Sequence, residues 1–195
     1  MSLIIKNSEF IKSAAGFGGF LTDGSPQIAV AGRSNVGKSS FINMLLNDGG
    51  AARVSSTPGR TALVNYFDVN RGGFILTDLP GYGYAKVAKT ERASWGRLVE
   101  DYFAVTKNVC VLALVDIRHI PTADDIKLVA YLYAKAIPFF IIANKSDKQS
   151  RAQNLKSVKD IAFALKVGVG DIILTSCTKK IGRDDVLAKI ESFLK

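Results

Sequence analysis

The chain has 195 residues, 48% of them hydrophobic, and a formal net charge of +9. That length and apolar content suit one domain with a sizeable core and leave little room for a second module. The two cysteines, Cys110 and Cys177, have neither the spacing nor the context of a disulfide framework or a metal site, and the excess of Lys and Arg favours polyanionic partners, RNA first, through phosphate contacts.

The apolar start Leu3-Ile4-Ile5 is too short for a signal segment or a membrane span, so a cytoplasmic protein without a membrane partner is expected. A strand-like run over 27–31 then enters Gly32-Arg33-Ser34-Asn35-Val36-Gly37-Lys38-Ser39-Ser40, and an apolar-periodic segment over 39–46 leaves it. Strand, glycine loop and helix together form the context a phosphate-binding P-loop requires; taken alone, a glycine turn followed by a chance Lys-Ser would also fit. Gly32 and Gly37 let consecutive N–H groups converge on phosphate oxygens at a helix N-terminus. Lys38 adds a cation toward the β and γ phosphates, and the Ser39 hydroxyl suits Mg²⁺, a hard ion that keeps several of its waters.

The stretch 48–59 is rich in Gly, Ala and Ser, and Pro58-Gly59 reads as a turn. Strands are expected over 62–69 and 73–77, joined by Asn70-Arg71-Gly72 as a hairpin, which places the first of them antiparallel at a sheet edge. Asp78-Leu79-Pro80-Gly81 follows directly. Asp78 can hold Mg²⁺ through water and Gly81 can present its N–H to a γ-phosphate, ordering the following segment in the triphosphate state only. Tyr82 stands next, in the place where Ras-like enzymes carry a water-orienting glutamine, and a phenol cannot do the same job. Slow intrinsic hydrolysis is therefore expected.

Lys86, Lys89, Arg92 and Arg97 form a basic cluster, and Trp95, Leu98, Val99, Tyr102 and Phe103 fall on one helical stripe. A strand over 109–116 precedes a second stripe, Ile126, Val129, Ala130 and Tyr133. Its aromatic residue, like those of the first stripe, is assigned to the core. After an apolar strand over 137–143 comes Asn144-Lys145-Ser146-Asp147, at the carboxyl end where open α/β sheets bind ligands. Asp147 can accept from the ring N–H and exocyclic amine of guanine, a pattern adenine lacks. Lys145 can lie along the base, and Asn144 braces the loops. A strand over 171–175 leads to Thr175-Ser176-Cys177, where the Cys177 N–H can meet guanine O6 with Ser176 in support. A third stripe, Val186, Leu187, Ile190 and Phe193, closes the chain. From Lys145 onward eleven Lys or Arg face six Asp or Glu, which strengthens the RNA expectation. The alternation predicts a doubly wound α/β fold: a mostly parallel six-stranded sheet, one antiparallel edge strand and helices on both faces.

With Pro58-Gly59-Arg60-Thr61, Asp78-Leu79-Pro80-Gly81-Tyr82-Gly83-Tyr84-Ala85 and Val115-Asp116-Ile117-Arg118-His119, the P-loop and Asn144–Asp147 words resemble the EngB (YihA/YsxC) family of translation-factor-like P-loop GTPases over nearly the whole chain. Asn144, where that family often carries Thr, and Cys177-Thr178, in place of its usual small residues, depart from the pattern. The resemblance implies a GTPase domain over 1–195 with a short N-terminal extension over about 1–24, binding GTP or GDP with Mg²⁺. It also implies a role in assembling the large ribosomal subunit, with that subunit, its assembly intermediates and rRNA as partners; a monomer is expected. Thr61 takes the place of the first-switch threonine, on Mg²⁺ and γ-phosphate. Asn35 matches the asparagine that helps bind K⁺ in related GTPases, though it also suits a loop residue that tethers backbone. Lys38, Asn35, Thr61 and Gly81 are then the catalytic set, and Ser39, Thr61 and Asp78 the metal set. A nucleotide-gated RNA-binding scaffold, or another regulatory GTPase of the superfamily, are the alternatives.

Overall fold

The computed structural model describes residues 3–52, 63–83 and 89–195, residues 89–95 as helix backbone. The elements in chain order are β1 (Ser8–Ala14), β2 (Gln27–Gly32), α1 (Lys38–Leu46), β3 (Val64–Val69), β4 (Phe74–Asp78), α2 (Lys89–Val105), β5 (Val109–Asp116), α3 (Ala123–Ala134), β6 (Phe139–Asn144), α4 (Arg151–Leu165), β7 (Ile172–Leu174) and α5 (Arg183–Leu194). They build one sheet in the order β1-β3-β4-β2-β5-β6-β7.

The sheet is doubly wound and mostly parallel as expected, but it has seven strands, not six. β3 runs antiparallel to β4, yet it is not at the edge, because β1 pairs antiparallel along its outer side. β1 escaped detection because its side chains follow no buried alternation: Phe10 and Ile11 are both exposed, and a register shift between Phe10 and Lys12 breaks the period.

In β2 every residue is buried, which identifies the central strand. Ile28 and Val30 face α1 and α5, joining Phe41, Leu45, Val186 and Leu187, while Ala29 and Ala31 face the layer of α2, α3 and α4, with Tyr102, Leu132 and Ile161. Small alanines on one side and larger aliphatics on the other set how closely each helical layer approaches. The chain leaves β2 toward β4 on one side and resumes at β5 on the other, so the strand order reverses beside β2 and opens a crevice at its carboxyl end.

Two helix assignments change. The face α3 buries is Asp125, Leu128, Val129 and Leu132, whereas Ile126 and Tyr133 are 42% and 55% exposed. Asp125, which closes a capping box with Thr122, is buried, and the buried stripe lies one residue earlier than expected. α4 was not foreseen, although Ser150 and Gln153 form a capping box and Val158, Ile161, Ala162 and Leu165 keep helical spacing. In α2, Leu98, Val99, Tyr102 and Phe103 are buried as expected, as are Val186, Leu187 and Ile190 in α5.

Candidate functional site

The crevice at the carboxyl ends of β2, β4, β5 and β6 collects the predicted residues. Gly37, the N-cap of α1, has φ +98°, and a Cβ there would lie 2.6 Å from Asn144 Nδ2, so both conformation and space require glycine. Helix geometry leaves the first-turn N–H groups of α1, those of Ser39 and Ser40 included, without intrahelical acceptors. The loop is laid against the segment after β4: Ser34 N donates to Tyr82 O at 2.8 Å and Tyr82 N donates to Gly32 O at 3.3 Å. Gly81 packs so closely that a Cβ would come 3.2 Å from Ser34 Oγ. Arg33, Ser34, Asn35, Gly37, Lys38, Ser39 and Ser40 are exposed or half-buried along the crevice, and Val36 is buried beneath it.

Asp78, the last residue of β4, is buried and forms an ion pair with Lys38 Nζ, while Asn65 Nδ2 donates to its other oxygen at 3.4 Å. A carboxylate and the Ser39 hydroxyl are hard oxygen donors of the kind Mg²⁺ takes, beside a helix terminus suited to phosphate. Among the described residues no three His, Cys, Asp or Glu side chains converge as a metal cluster. Thr61, with Pro58, Gly59 and Arg60, lies outside the described residues, as do Tyr84, Ala85, Lys86 and the side chains of Lys89, Arg92 and Trp95.

On the other flank, Asn144 ends β6 and is buried. Its Nδ2 donates to Val36 O at 3.0 Å, and its Oδ1 accepts from Thr175 Oγ1 at 3.2 Å and Cys177 Sγ at 3.4 Å. One side chain thus links the P-loop to the loop that follows β7, the bracing expected of it. Lys145 has φ +70° and reaches back over the P-loop, its Nζ donating to Asn35 O at 2.8 Å and to Asp116 Oδ2 at 2.9 Å. Asp147 sits in the 3-10 turn Ser146–Lys148. It accepts from Ser176 Oγ at 2.6 Å and pairs with Lys148 at 3.3 Å. The Ser176 hydroxyl, chiefly, holds its carboxyl below the usual range. Ser176 is fully buried behind Asp147 and also accepts from Lys179 N at 3.1 Å. Its hydroxyl thereby restricts the orientation of the Asp147 carboxylate. Burial raises the Cys177 thiol.

Sequence reasoning passed over two parts of this site. In the sequence Asp116 and Arg118 carry only the family resemblance, yet Asp116 is an ion-pair partner of Lys145. By position in the sequence Tyr82 is only a missing glutamine, whereas in the structure its phenol is buried and donates to Asp125. Neither contact leaves a local signal, because one joins the ends of β5 and β6 and the other joins the segment after β4 to the first turn of α3, each across a long stretch of chain.

Comparison with known proteins agrees with this geometry. Residues 27–145 match a family model described as 50S ribosome-binding GTPase. A probable GTP-binding protein EngB of Pelotomaculum thermopropionicum is 46% identical over 95% of this chain and 94% of its own length. One of Streptococcus gordonii is 44% identical over 94% of each. The fold is that of a crystal structure of a probable GTP-binding protein engB, with a TM-score of 0.69 at 22% identity over 86% of this chain and 98% of that one. Era of Aquifex aeolicus gives a TM-score of 0.68 at 19% identity, over 87% of this chain and 56% of that one. The P-loop, the Asp78–Gly81 segment and the Asn144–Asp147 turn meet in one crevice, and the matches span nearly the whole chain; it belongs to the EngB family of P-loop GTPases.

Proposed function

We propose that this protein binds GTP and GDP with Mg²⁺, hydrolyses GTP slowly on its own, and uses the nucleotide state to time its association with the assembling large ribosomal subunit. The observation that carries the nucleotide reading is the pair of bonds from Asn144 and Lys145 to the carbonyls of Val36 and Asn35. They hold a base-reading turn at fixed reach from a phosphate loop. Lys38 and the first turn of α1 would bind phosphates, and Ser39, Asp78 and Thr61 would hold Mg²⁺. Asp147, backed by Ser176, would read the guanine edge, with the Cys177 N–H at O6. Mg²⁺ held by these residues would supply neutralisation of phosphate charge, and Ser39, Asp78 and Thr61 would position it. The Gly81 N–H would meet the γ-phosphate. Asn35 is the candidate for holding K⁺, and hydrolysis is expected to rise in K⁺ over Na⁺ and with a ribosomal partner present.

The partner reading rests on the net charge of +9 and on the ribosome-binding description of the matched family model. We assign it to a monomer in the cytoplasm, acting as one GTPase unit over the whole chain. No helix among the described residues is long and apolar enough to cross a membrane. Co-sedimentation with bacterial large ribosomal subunits in K⁺ buffer, with a non-hydrolysable GTP analogue, GDP or no nucleotide, tests this. Binding that depends on the analogue supports a switch in subunit assembly; binding equal in all three, or absent from all, removes it. The engagement of Tyr82 by Asp125 favours a second reading, an RNA-binding scaffold gated by nucleotide whose hydrolysis is incidental. In that case a hydrolysis-blocked form retains full function.

A further inference from the structure

We infer that Asp116 is a positioning residue for nucleotide binding and that it acts through Lys145. The inference rests on the guanine-nucleotide reading of the crevice. Asp116 ends β5 opposite Asn144, the last register pair before the chain turns into Lys145. Its carboxylate accepts four hydrogen bonds: from Arg118 N at 3.1 Å, Arg118 Nε at 2.9 Å, Arg118 Nη2 at 2.7 Å and Lys145 Nζ at 2.9 Å.

These bonds divide into a clamp and a target. The Arg118 guanidinium grips both carboxylate oxygens as a planar fork, which fixes the orientation of the carboxylate plane. The oxygen shared with Lys145 then holds the ammonium from one side while Asn35 O holds it from the other. A lysine stem has several rotatable bonds, and free in a loop it would lose that freedom each time a base settled along it. With both of its anchors in place the stem is ordered before the nucleotide arrives, which lowers the cost of binding. Lys145 also has a left-handed backbone, so its side chain starts from an orientation that needs holding. A carboxylate at this strand end is no requirement of the sheet, whose ladder uses backbone groups only.

The role makes a selective demand. Asp116 holds the ammonium at the end of the stem that would lie along the base, whereas Asp147 would read the base edge. Loss of Asp116 should therefore weaken guanosine and inosine diphosphates alike, although inosine lacks the exocyclic amine that Asp147 would accept from.

The test is a double-mutant cycle of Asp116→Asn and Lys145→Met. It is read by the equilibrium affinity of fluorescent GDP and by competition with unlabelled GDP and IDP, with thermal melts to verify folding. Asp116→Asn is expected to weaken GDP and IDP equally, by about three- to tenfold, the range for one long side chain left to be ordered on binding. On the Lys145→Met background it should cost nothing further. Should Asp116→Asn fail to fold, Arg118→Met, on a side chain 39% exposed, carries the same test through a smaller loss that again vanishes with Lys145→Met. Full affinity in Asp116→Asn, a loss additive with Lys145→Met, or a loss confined to GDP overturns the proposal. Failure of the unsubstituted protein to bind GDP is a different result: it overturns the nucleotide reading itself.

Discussion

The phenol of Tyr82 donates a 2.6 Å hydrogen bond to Asp125 Oδ1, while Asp125 Oδ2 accepts from both the backbone N–H and the hydroxyl of Thr122. The residue directly after the Gly81 that would sense the γ-phosphate is thereby tied to the first turn of α3. Burial, then the neighbouring Asp125 charge, raises the Tyr82 hydroxyl well above its ordinary value, so it stays a donor at any physiological pH.

Tyr82→Phe removes that donor and leaves a buried carboxylate one partner short. It should lower stability by about 1.5–3 kcal/mol, the range for a hydrogen bond to a charged group, measured by urea unfolding. Single-turnover GTP hydrolysis should stay within about twofold, because the phenol lies in the core beside α3. A large fall in the chemical step, with stability unchanged, would show that Tyr82 acts in hydrolysis instead.

Lys38 and Asp78 neutralise each other in the crevice. Phosphate should take the lysine and Mg²⁺ the aspartate, so chelating Mg²⁺ should speed GDP release in the unsubstituted protein. In Asp78→Asn, release should be nearly the same with and without Mg²⁺, as followed by fluorescent GDP dissociation. Retained Mg²⁺ dependence would take Asp78 out of the metal set.

Asp147→Asn swaps an acceptor for a donor where the guanine N–H groups would sit. GTP affinity should fall by about 100-fold and affinity for xanthosine triphosphate rise, since a missing buried partner costs about 1–3 kcal/mol at each unpaired group. Equal GTP affinity in the variant, by competition binding, would remove Asp147 from the base site.

Burial raises both thiols, Cys110 to about 12. A raised pKa means less thiolate at a given pH, so labelling of the folded protein should be slow at pH 7 and accelerate only above the range of an ordinary thiol. Cys110, inside β5, should stay unlabelled, whereas Cys177, half-buried beside the base turn, should react and be protected by GDP. Labelling of Cys177 at the same rate with and without saturating GDP, read by intact mass, would place the nucleotide away from this loop.

What the amino-acid order determined by itself was whatever has a local cause. Gly37 must be glycine because the turn into α1 needs a positive φ, and Gly32 to Ser40 is recognisable because phosphate loops depend on consecutive backbone groups. The strands on both sides of β2 are legible as apolar runs because parallel strands are covered on both faces. The third dimension decided whatever depends on a partner distant in sequence. β1 is a strand only because β3 offers it an edge, and no alternation in its own residues requires it. α3 turns Leu128 and Leu132 to the core in place of Ile126 and Tyr133, because its capping carboxylate also serves Tyr82. Asn144 and Lys145 were legible as a base-side motif, but their hold on Val36 and Asn35, and the hold on Lys145 of an Asp116 gripped by Arg118, exist only where β2, β5 and β6 end side by side. Backbone conformation answers to neighbours in the chain, whereas a side chain's ion pairs and hydrogen bonds answer to whatever the fold brings within reach.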